Sequence, residues 1–228
     1  MRRSVILLNT SLALLIVAVA AAGLSAAERD PKLIERTRDW LLQQRRSDGS
    51  WEPEGHAMHE APTRGRGDQS NLSTTAYVAW AVSSDPNARS MLGSTRDYIV
   101  SFEPQQVRDP YVLALVANAL LSIDSNDVAA RPYLAELART MQRSQDGKHI
   151  SWGRDPQART TFYGSGRSGE IETTSLAALA MLKAGYDPAV TKAALTWVAE
   201  QMDSRGTFHS TQATVLALKA LIAGTGAA

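Results

Sequence analysis

The sequence of 228 residues contains no cysteine. This absence excludes disulfides, thiolate metal sites, a cysteine nucleophile and a lipid anchor attached through cysteine. Aromatic residues make up only 6% of the chain, and the 44% of hydrophobic residues are mostly Ala and Leu, which favours helix over sheet. The net charge is only +1 and no block of basic residues occurs, which argues against a nucleic-acid partner.

The beginning of the chain has the layout of a secretory signal peptide. Two arginines precede an apolar run over residues 5–24, and small residues at 25–27 come before the charged Glu28. We therefore expect residues 1–27 to be a signal peptide and the protein to be secreted or periplasmic. Two alternatives stay open, in which residues 5–24 remain as a membrane anchor or form a helix of the fold.

Two kinds of segment alternate along the remaining chain. The first kind has the end of an amphipathic helix, a Gln, a turn that contains Gly, and then an aromatic residue; it covers residues 40–51, 141–152 and 197–208. Gly ends a helix at low cost, and the aromatic residue can then fold back onto apolar surface. The second kind is almost wholly small and apolar, which is typical of buried helices; it covers residues 74–80, 111–121, 173–179 and 211–218.

This alternation predicts an all-α protein, an α/α toroid or a partial toroid, with buried helices inside and amphipathic helices outside. Asp-Pro pairs place a capping residue before a helix-starting Pro at four boundaries. No stretch alternates convincingly as a strand does. We expect long polar loops over residues 55–70 and 147–169. The expected helices cover residues 30–45, 71–83, 87–101, 109–122, 128–143, 170–184, 188–202 and 210–223.

Three motifs resemble the thioester-containing domain of the α2-macroglobulin and complement family. Residues 206–221 resemble the family's aromatic-x-Ser-Thr-Gln-x-Thr helix, and residues 171–179 resemble the helix two before it. Residues 44–51 resemble the family's Gln-x-x-x-Asp-Gly-x-aromatic turn. The three motifs follow each other in the same order as in the family, and the resemblance covers residues 28–224. The family's Gly-Cys-Gly-Glu-Gln-like thioester segment has no counterpart here, because the chain has no cysteine.

The resemblance implies a non-enzymatic secreted module of the protease-inhibitor or defence type, without covalent capture and without a cofactor. Its partner would be a protease or another protein, bound through the concave face or the long loops, and a membrane only if residues 5–24 are retained. Residues 28–228 would form a toroid that is incomplete on its N-terminal side. An alternative is a non-functional gene fragment of a larger macroglobulin with residues 5–24 as a toroid helix, since residues 9–15 resemble residues 172–177.

His59 matches the family's thioester-attacking His, because it follows Trp51 by eight positions. Without a thioester it has no bond to attack, so we expect a vestigial loop residue and no catalytic residue. His56, His59 and Asp68 carry groups that suit Zn²⁺, but the sequence matches neither zincin pattern. We therefore expect a solvated loop here and no metal site.

A second class of function is a toroid enzyme of the prenyltransferase or terpene cyclase type, whose Gln-Trp turns residues 44–51 also resemble. The chain has no Asp-Asp pair and no cysteine ligand for Zn²⁺, so neither chemistry has support in the sequence. A toroid glycosidase would need two carboxylates in one cleft. The candidate carboxylates are more typical of helix caps or solvated charges: Asp48, Glu52, Glu54, Glu60, Glu170 and Glu172. We expect Ser210 to cap a helix and the five Trp residues to serve in packing.

Overall fold

A computed structural model describes residues 30–53, 68–155, 158–161 and 164–226. A 3-10 turn (Pro104–Gln106) and an antiparallel hairpin of strands β1 (Gln142–Arg143) and β2 (Ile150–Ser151) connect its helices. The helices are α1 (Pro31–Gln43), α2 (Asp68–Val82), α3 (Pro86–Arg89), α4 (Gly93–Val100), α5 (Pro110–Ile123), α6 (Ala130–Arg139), α7 (Gly166–Ala184), α8 (Pro188–Ala199) and α9 (Thr211–Thr225). In these described ranges, every helix is too short or too polar to cross a membrane.

Four helices begin where the sequence places an Asp before a Pro. At α1, α3, α5 and α8 the Asp carboxylate accepts a hydrogen bond from a backbone N–H of the first turn. Pro then fills a position whose N–H would have no helical partner. α9 begins at Ser210, whose Oγ accepts a hydrogen bond from the backbone N of Ala213 at 3.0 Å. The four helix starts predicted at Asp-Pro pairs and the predicted Ser210 cap are confirmed.

The inner layer consists of α2, α5, α7 and α9. Neighbouring inner helices pack on each other in chain order. Every residue of α5 from 111 to 121 is buried, and so is every residue of α7 from 171 to 181. Asn118 of α5 joins these two helices, because its Nδ2 donates to the carbonyl of Leu176 at 2.8 Å. A helix that is apolar on most sides is stable only in such surroundings.

The outer helices are half-exposed. In α6, Tyr133, Leu134 and Leu137 are buried, whereas Arg131 and Arg139 are exposed. This is the pattern of a helix that covers a core with one face and meets water with the other. The fold is therefore all-α and toroid-like, as the alternation of the two kinds of segment predicts.

The expected single helix over residues 87–101 is wrong, because the chain forms two helices, α3 and α4. The break lies at Leu92, which is fully buried in one cluster with Leu41. The turn after α1 approaches α4 so closely that a Cβ on Gly49 would lie 2.3 Å from the carbonyl oxygen of Ser94. This long-range contact lies in the first turn of α4, and helical periodicity does not encode it.

Two further expectations are corrected. The structure contains a short hairpin where no strand was expected, and the expected loop over residues 147–169 includes strand β2 and the start of α7. The hairpin pairs Gln142 with Ser151, and this pairing ends α6 earlier than expected. Trp152 is fully buried directly after β2, and α7 already begins at Gly166. Of the expected loop over residues 55–70, the last three belong to α2 and the others lie outside the described residues.

Each of the three repeated turns contains a left-handed glycine, although the second turn is one residue longer than the other two. Gly49, Gly147 and Gly206 have φ values of +90°, +71° and +78°, in the left-handed region that Gly adopts at low cost. A backbone hydrogen bond closes each turn, from Arg46 to Ser50 at 2.9 Å, from Ser144 to His149 at 3.0 Å, and from Asp203 to Thr207 at 2.9 Å.

The aromatic residue after each turn connects an outer helix to the next inner helix. The indole N–H of Trp51 donates to the carbonyl of Leu41 at 2.8 Å, and that of Trp152 to Leu137 at 2.7 Å. The backbone N–H of each aromatic residue donates to a Thr hydroxyl of the following inner helix. These pairs are Trp51 with Thr75 at 2.9 Å, Trp152 with Thr174 at 3.1 Å, and Phe208 with Thr214 at 3.0 Å.

Candidate functional site

Polar side chains from four helices and one connection meet between the inner helices. Tyr77 of α2, Tyr111 of α5, Glu172 of α7 and Gln212 of α9 are each no more than 8% exposed. Arg154, from the connection between β2 and α7, lies beside them, with its side chain 5% exposed. We call these five residues the polar cluster. Two of the motifs that carry the family resemblance therefore supply Glu172 and Gln212.

Glu172 is the only carboxyl group of the polar cluster, and it is fully buried. Its Oε1 lies 3.5 Å from the hydroxyl of Ser210, and it also hydrogen-bonds with Thr160, whereas its Oε2 has no partner among the described residues. Burial raises the pKa of Glu172 to about 7, although the hydrogen bond of Thr160 and the charge of Arg154 act in the opposite direction. The Glu172 carboxyl fits here only because residue 164 is a glycine, since a Cβ on Gly164 would lie 2.3 Å from Oε1.

The two tyrosines remain neutral phenols. Burial raises the pKa of Tyr77 and of Tyr111 above the ordinary value of 10.0. Tyr77 hydrogen-bonds with the side chain of Gln212, while the Tyr111 hydroxyl accepts from the backbone N of Thr161 at 3.4 Å. The Gln212 Oε1 has no hydrogen-bond partner among the described atoms.

Arg154 is held by a carboxylate and an aromatic ring. Its Nε and Nη2 donate to the two carboxylate oxygens of Asp109 at 3.0 and 2.5 Å, and its guanidinium carbon lies 5.0 Å from the centre of the Tyr111 ring. Asp109 thus neutralises the only cation of the polar cluster and also caps α5. Arg154 Nη1 is buried without a described partner.

The polar cluster offers one carboxyl, two neutral phenols, an amide and a neutralised guanidinium. Glycoside hydrolysis needs two carboxyl groups on opposite sides of a bond, and metal chemistry needs several ligands at one point. The described residues include no group of three His, Asp or Glu that could hold a metal ion. The arrangement is suited to fixing the inner helices relative to each other through buried hydrogen bonds.

The other predicted carboxylates are dispersed. Asp48 accepts from the backbone N and the hydroxyl of Ser50, and these hydrogen bonds lower the pKa of Asp48. Glu52 pairs with Arg46 on the surface, and Glu170 pairs with Arg167 at 3.0 Å. Among the predicted carboxylates that the structure describes, the interpretation as a cap or a solvated charge is wrong only for Glu172. This side chain is buried by residues from distant parts of the chain. Outside the described residues lie Glu54, His56, His59, Glu60 and the side chain of Asp68.

The predicted packing residues are buried or half-buried. Trp51, Trp80, Trp152 and Trp197 are at most 9% exposed, and Trp40 packs at the edge of the cluster around Leu41. Sequence reasoning did not identify the remaining residues of the polar cluster, namely Tyr77, Tyr111, Arg154 and Gln212. For Tyr77, Tyr111 and Gln212 the available signal was a polar residue inside an otherwise small and apolar helix. Arg154 lies in the connection between β2 and α7 and gave no such signal.

Comparisons with known proteins agree with the motifs. The family model described as A-macroglobulin TED domain matches residues 8–223. The chain is 26% identical to alpha-2-macroglobulin-like protein 1 of Mus musculus over 195 residues, 82% of this chain and 13% of the relative. It is 24% identical to ovostatin of Gallus gallus over 199 residues (85% and 13%), and 26% identical to complement C3 of Lethenteron camtschaticum over 195 residues (80% and 11%). The chain thus spans only 11% to 13% of the length of these relatives.

Proposed function

Because the chain belongs to the family of A-macroglobulin TED domains, we propose that it is a secreted, non-enzymatic module that binds a protein partner without covalent capture. The observation that carries this proposal is the absence of cysteine from all 228 residues. A thioester between Cys and Gln needs a thiol, so this sequence cannot form one. Binding by this toroid would then depend on non-covalent contacts.

The proposed partner is a protease. The resemblance to the α2-macroglobulin family supports this class, and the single buried carboxyl of the polar cluster supports a module without its own hydrolytic chemistry. The chain would act as a protease inhibitor or defence module by occupying the surface of its target.

A panel of purified serine, cysteine and metalloproteases tests this function. Each is mixed with the purified chain, and complexes are measured by native mass spectrometry together with residual cleavage of a protein substrate. We expect a stoichiometric complex with at least one class and reduced cleavage of the protein substrate. Undiminished cleavage without any complex, across the whole panel, contradicts the protease-inhibitor proposal.

His59 has no catalytic role in this proposal, because its expected target bond is absent. The variant H59A should therefore bind the same protease with unchanged affinity, and His149 offers a matched control. The Nε2 of His149 lies 3.0 Å from the carboxylate of Glu200 at the surface. A selective loss of binding in H59A would assign His59 a role that the missing thioester does not explain.

We propose that residues 1–27 are a cleaved signal peptide. The arrangement of two arginines, an apolar run and small residues supports this proposal. The start of the family match at residue 8 supports the alternative, in which residues 5–24 are a toroid helix of a fragment of a larger macroglobulin. The intact mass of the periplasmic fraction after bacterial expression distinguishes them, because cleavage gives a chain that begins near Glu28. A full-length, insoluble or cytoplasmic product contradicts the signal peptide.

A further inference from the structure

Each of the four inner helices contributes one side chain to a second cluster, which lies near the ends of α2, α5 and α7. Trp80 of α2, Ser122 of α5, Lys183 of α7 and Lys219 of α9 meet there. Lys183 Nζ donates to the hydroxyl of Ser122 at 2.7 Å and lies 5.6 Å from the centre of the Trp80 ring. Lys219 Nζ lies 4.4 Å from the same ring centre. We call these four residues the lysine site.

When both lysines are protonated, the lysine site carries positive charge without a compensating carboxylate in the part of the chain that the structure describes. Among the described residues, no carboxylate acts on either ammonium group, and Arg89 of α3 adds a third cation that acts on Lys183. Burial, then the charges of Lys219 and Arg89, lower the pKa of Lys183 to about 7, and burial also lowers the pKa of Lys219. Part of the Lys183 side chain nevertheless remains exposed to solvent.

The helix macrodipole explains only half of this arrangement. Lys183 lies in the last turn of α7, where the partial negative charge of the helix end attracts a cation. Lys219 lies in the middle of α9, beyond the reach of that effect. Lys219 donates no described hydrogen bond and Lys183 donates only one, although an ammonium group carries three donors. The free donors of both residues can bind an oxyanion.

An exposed apolar flank lies beside Lys219. Leu218 is 44% exposed and Ile222 is 67% exposed. Successive helix residues are about 100° apart, so both side chains lie on one side of Lys219 on the surface of α9. A cationic centre with an apolar flank complements a segment that carries both carboxylates and apolar side chains. The net charge of +1 without a basic block does not favour a nucleic acid.

We propose that the lysine site docks an acidic, amphipathic segment of a protein partner, with a carboxylate between Lys183 and Lys219 and apolar side chains on Leu218 and Ile222. This inference rests on the proposed function as a protein-binding module and adds the chemistry of the partner. The positive charge selects the carboxylate, and the apolar flank distinguishes a peptide from a free anion.

Calorimetric titration of the purified chain with a synthetic amphipathic peptide of Glu, Leu and Ala tests the proposal. A matched peptide with Gln in place of Glu and inorganic phosphate are titrated in parallel. We expect binding of the Glu peptide only, weakened about tenfold by each of K183Q and K219Q. The control is K192Q, which removes an exposed lysine of the outer helix α8. K183R keeps the charge and should restore most of the affinity, which separates lost charge from lost folding.

Three results would overturn the proposal: equal binding of the Glu and Gln peptides, undiminished binding by the double variant K183Q/K219Q, or tight binding of phosphate alone. The proposal that the partner is a protease is tested by a separate result. Binding of the Glu peptide through both lysines, without a complex with any protease, would support the lysine site and contradict only the protease as the partner.

Discussion

Replacement of Glu172 by Gln tests whether burial keeps this carboxyl protonated. Its pKa is raised from the ordinary 4.5 to about 7, because burial penalises the charged form. Between these two values the unfolded chain releases the proton while the folded chain retains it, so Glu172 makes the fold less stable as the pH rises. One pKa unit corresponds to about 1.4 kcal/mol, so the cost reaches about 3 kcal/mol above pH 7. Below pH 4.5 both states are protonated and the cost vanishes.

Gln resembles the protonated carboxyl in shape and stays neutral at every pH. We therefore expect E172Q to match the parent chain near pH 4 and to be more stable by about 3 kcal/mol at pH 8. Urea unfolding at both pH values, followed by circular dichroism, gives the two free energies of unfolding. E35Q on the exposed surface of α1 is the control, with an expected difference near zero. If E172Q differs from the parent by the same amount at both pH values, the pKa of Glu172 is the same in the folded and the unfolded chain, and burial does not keep this carboxyl protonated.

Three further changes have expected outcomes. W152F removes the indole donor of a fully buried ring and should lower the free energy of unfolding by about 1–2 kcal/mol, measured with urea. G49A should destabilise more than G147A, because both have positive φ but only the Cβ at Gly49 would strike the backbone of Ser94; equal losses in thermal unfolding would contradict this contact. K183M should stabilise the fold at pH 6 more than at pH 10. The pKa of Lys183 falls from 10.5 in the unfolded chain to about 7 in the folded chain, so the charged lysine destabilises the fold most at low pH. Urea unfolding at both pH values checks this direction.

Local signals predicted most of the helical framework. The four Asp-Pro pairs start helices as expected, because both the cap and the fixed φ of Pro act within one turn. The inner helices could also be predicted, since a segment such as residues 111–121 has no polar face to expose. The hydroxyl groups of Thr75, Thr174 and Thr214 have a role that the sequence did not reveal, because their partners are the backbones of distant aromatic residues.

The polar cluster could not be predicted as a site, because its members are separated along the chain. Glu172 looks like an ordinary charge near a helix start, but Ser210 at the start of α9 and Thr160 in the connection after β2 surround it together with the other inner helices. The break before α4 lies beside a similar long-range contact, between Gly49 and Ser94. In both places a contact between distant residues overrides the local pattern.

We propose that this macroglobulin-type toroid binds its partner without a covalent bond. To test this, a complex detected under native conditions is denatured and its mass is measured again. We expect the chain to be recovered at its own mass, 24.6 kDa if residues 1–27 are retained and correspondingly less if they are cleaved. A denatured species with the combined mass of chain and partner would instead show a covalent bond.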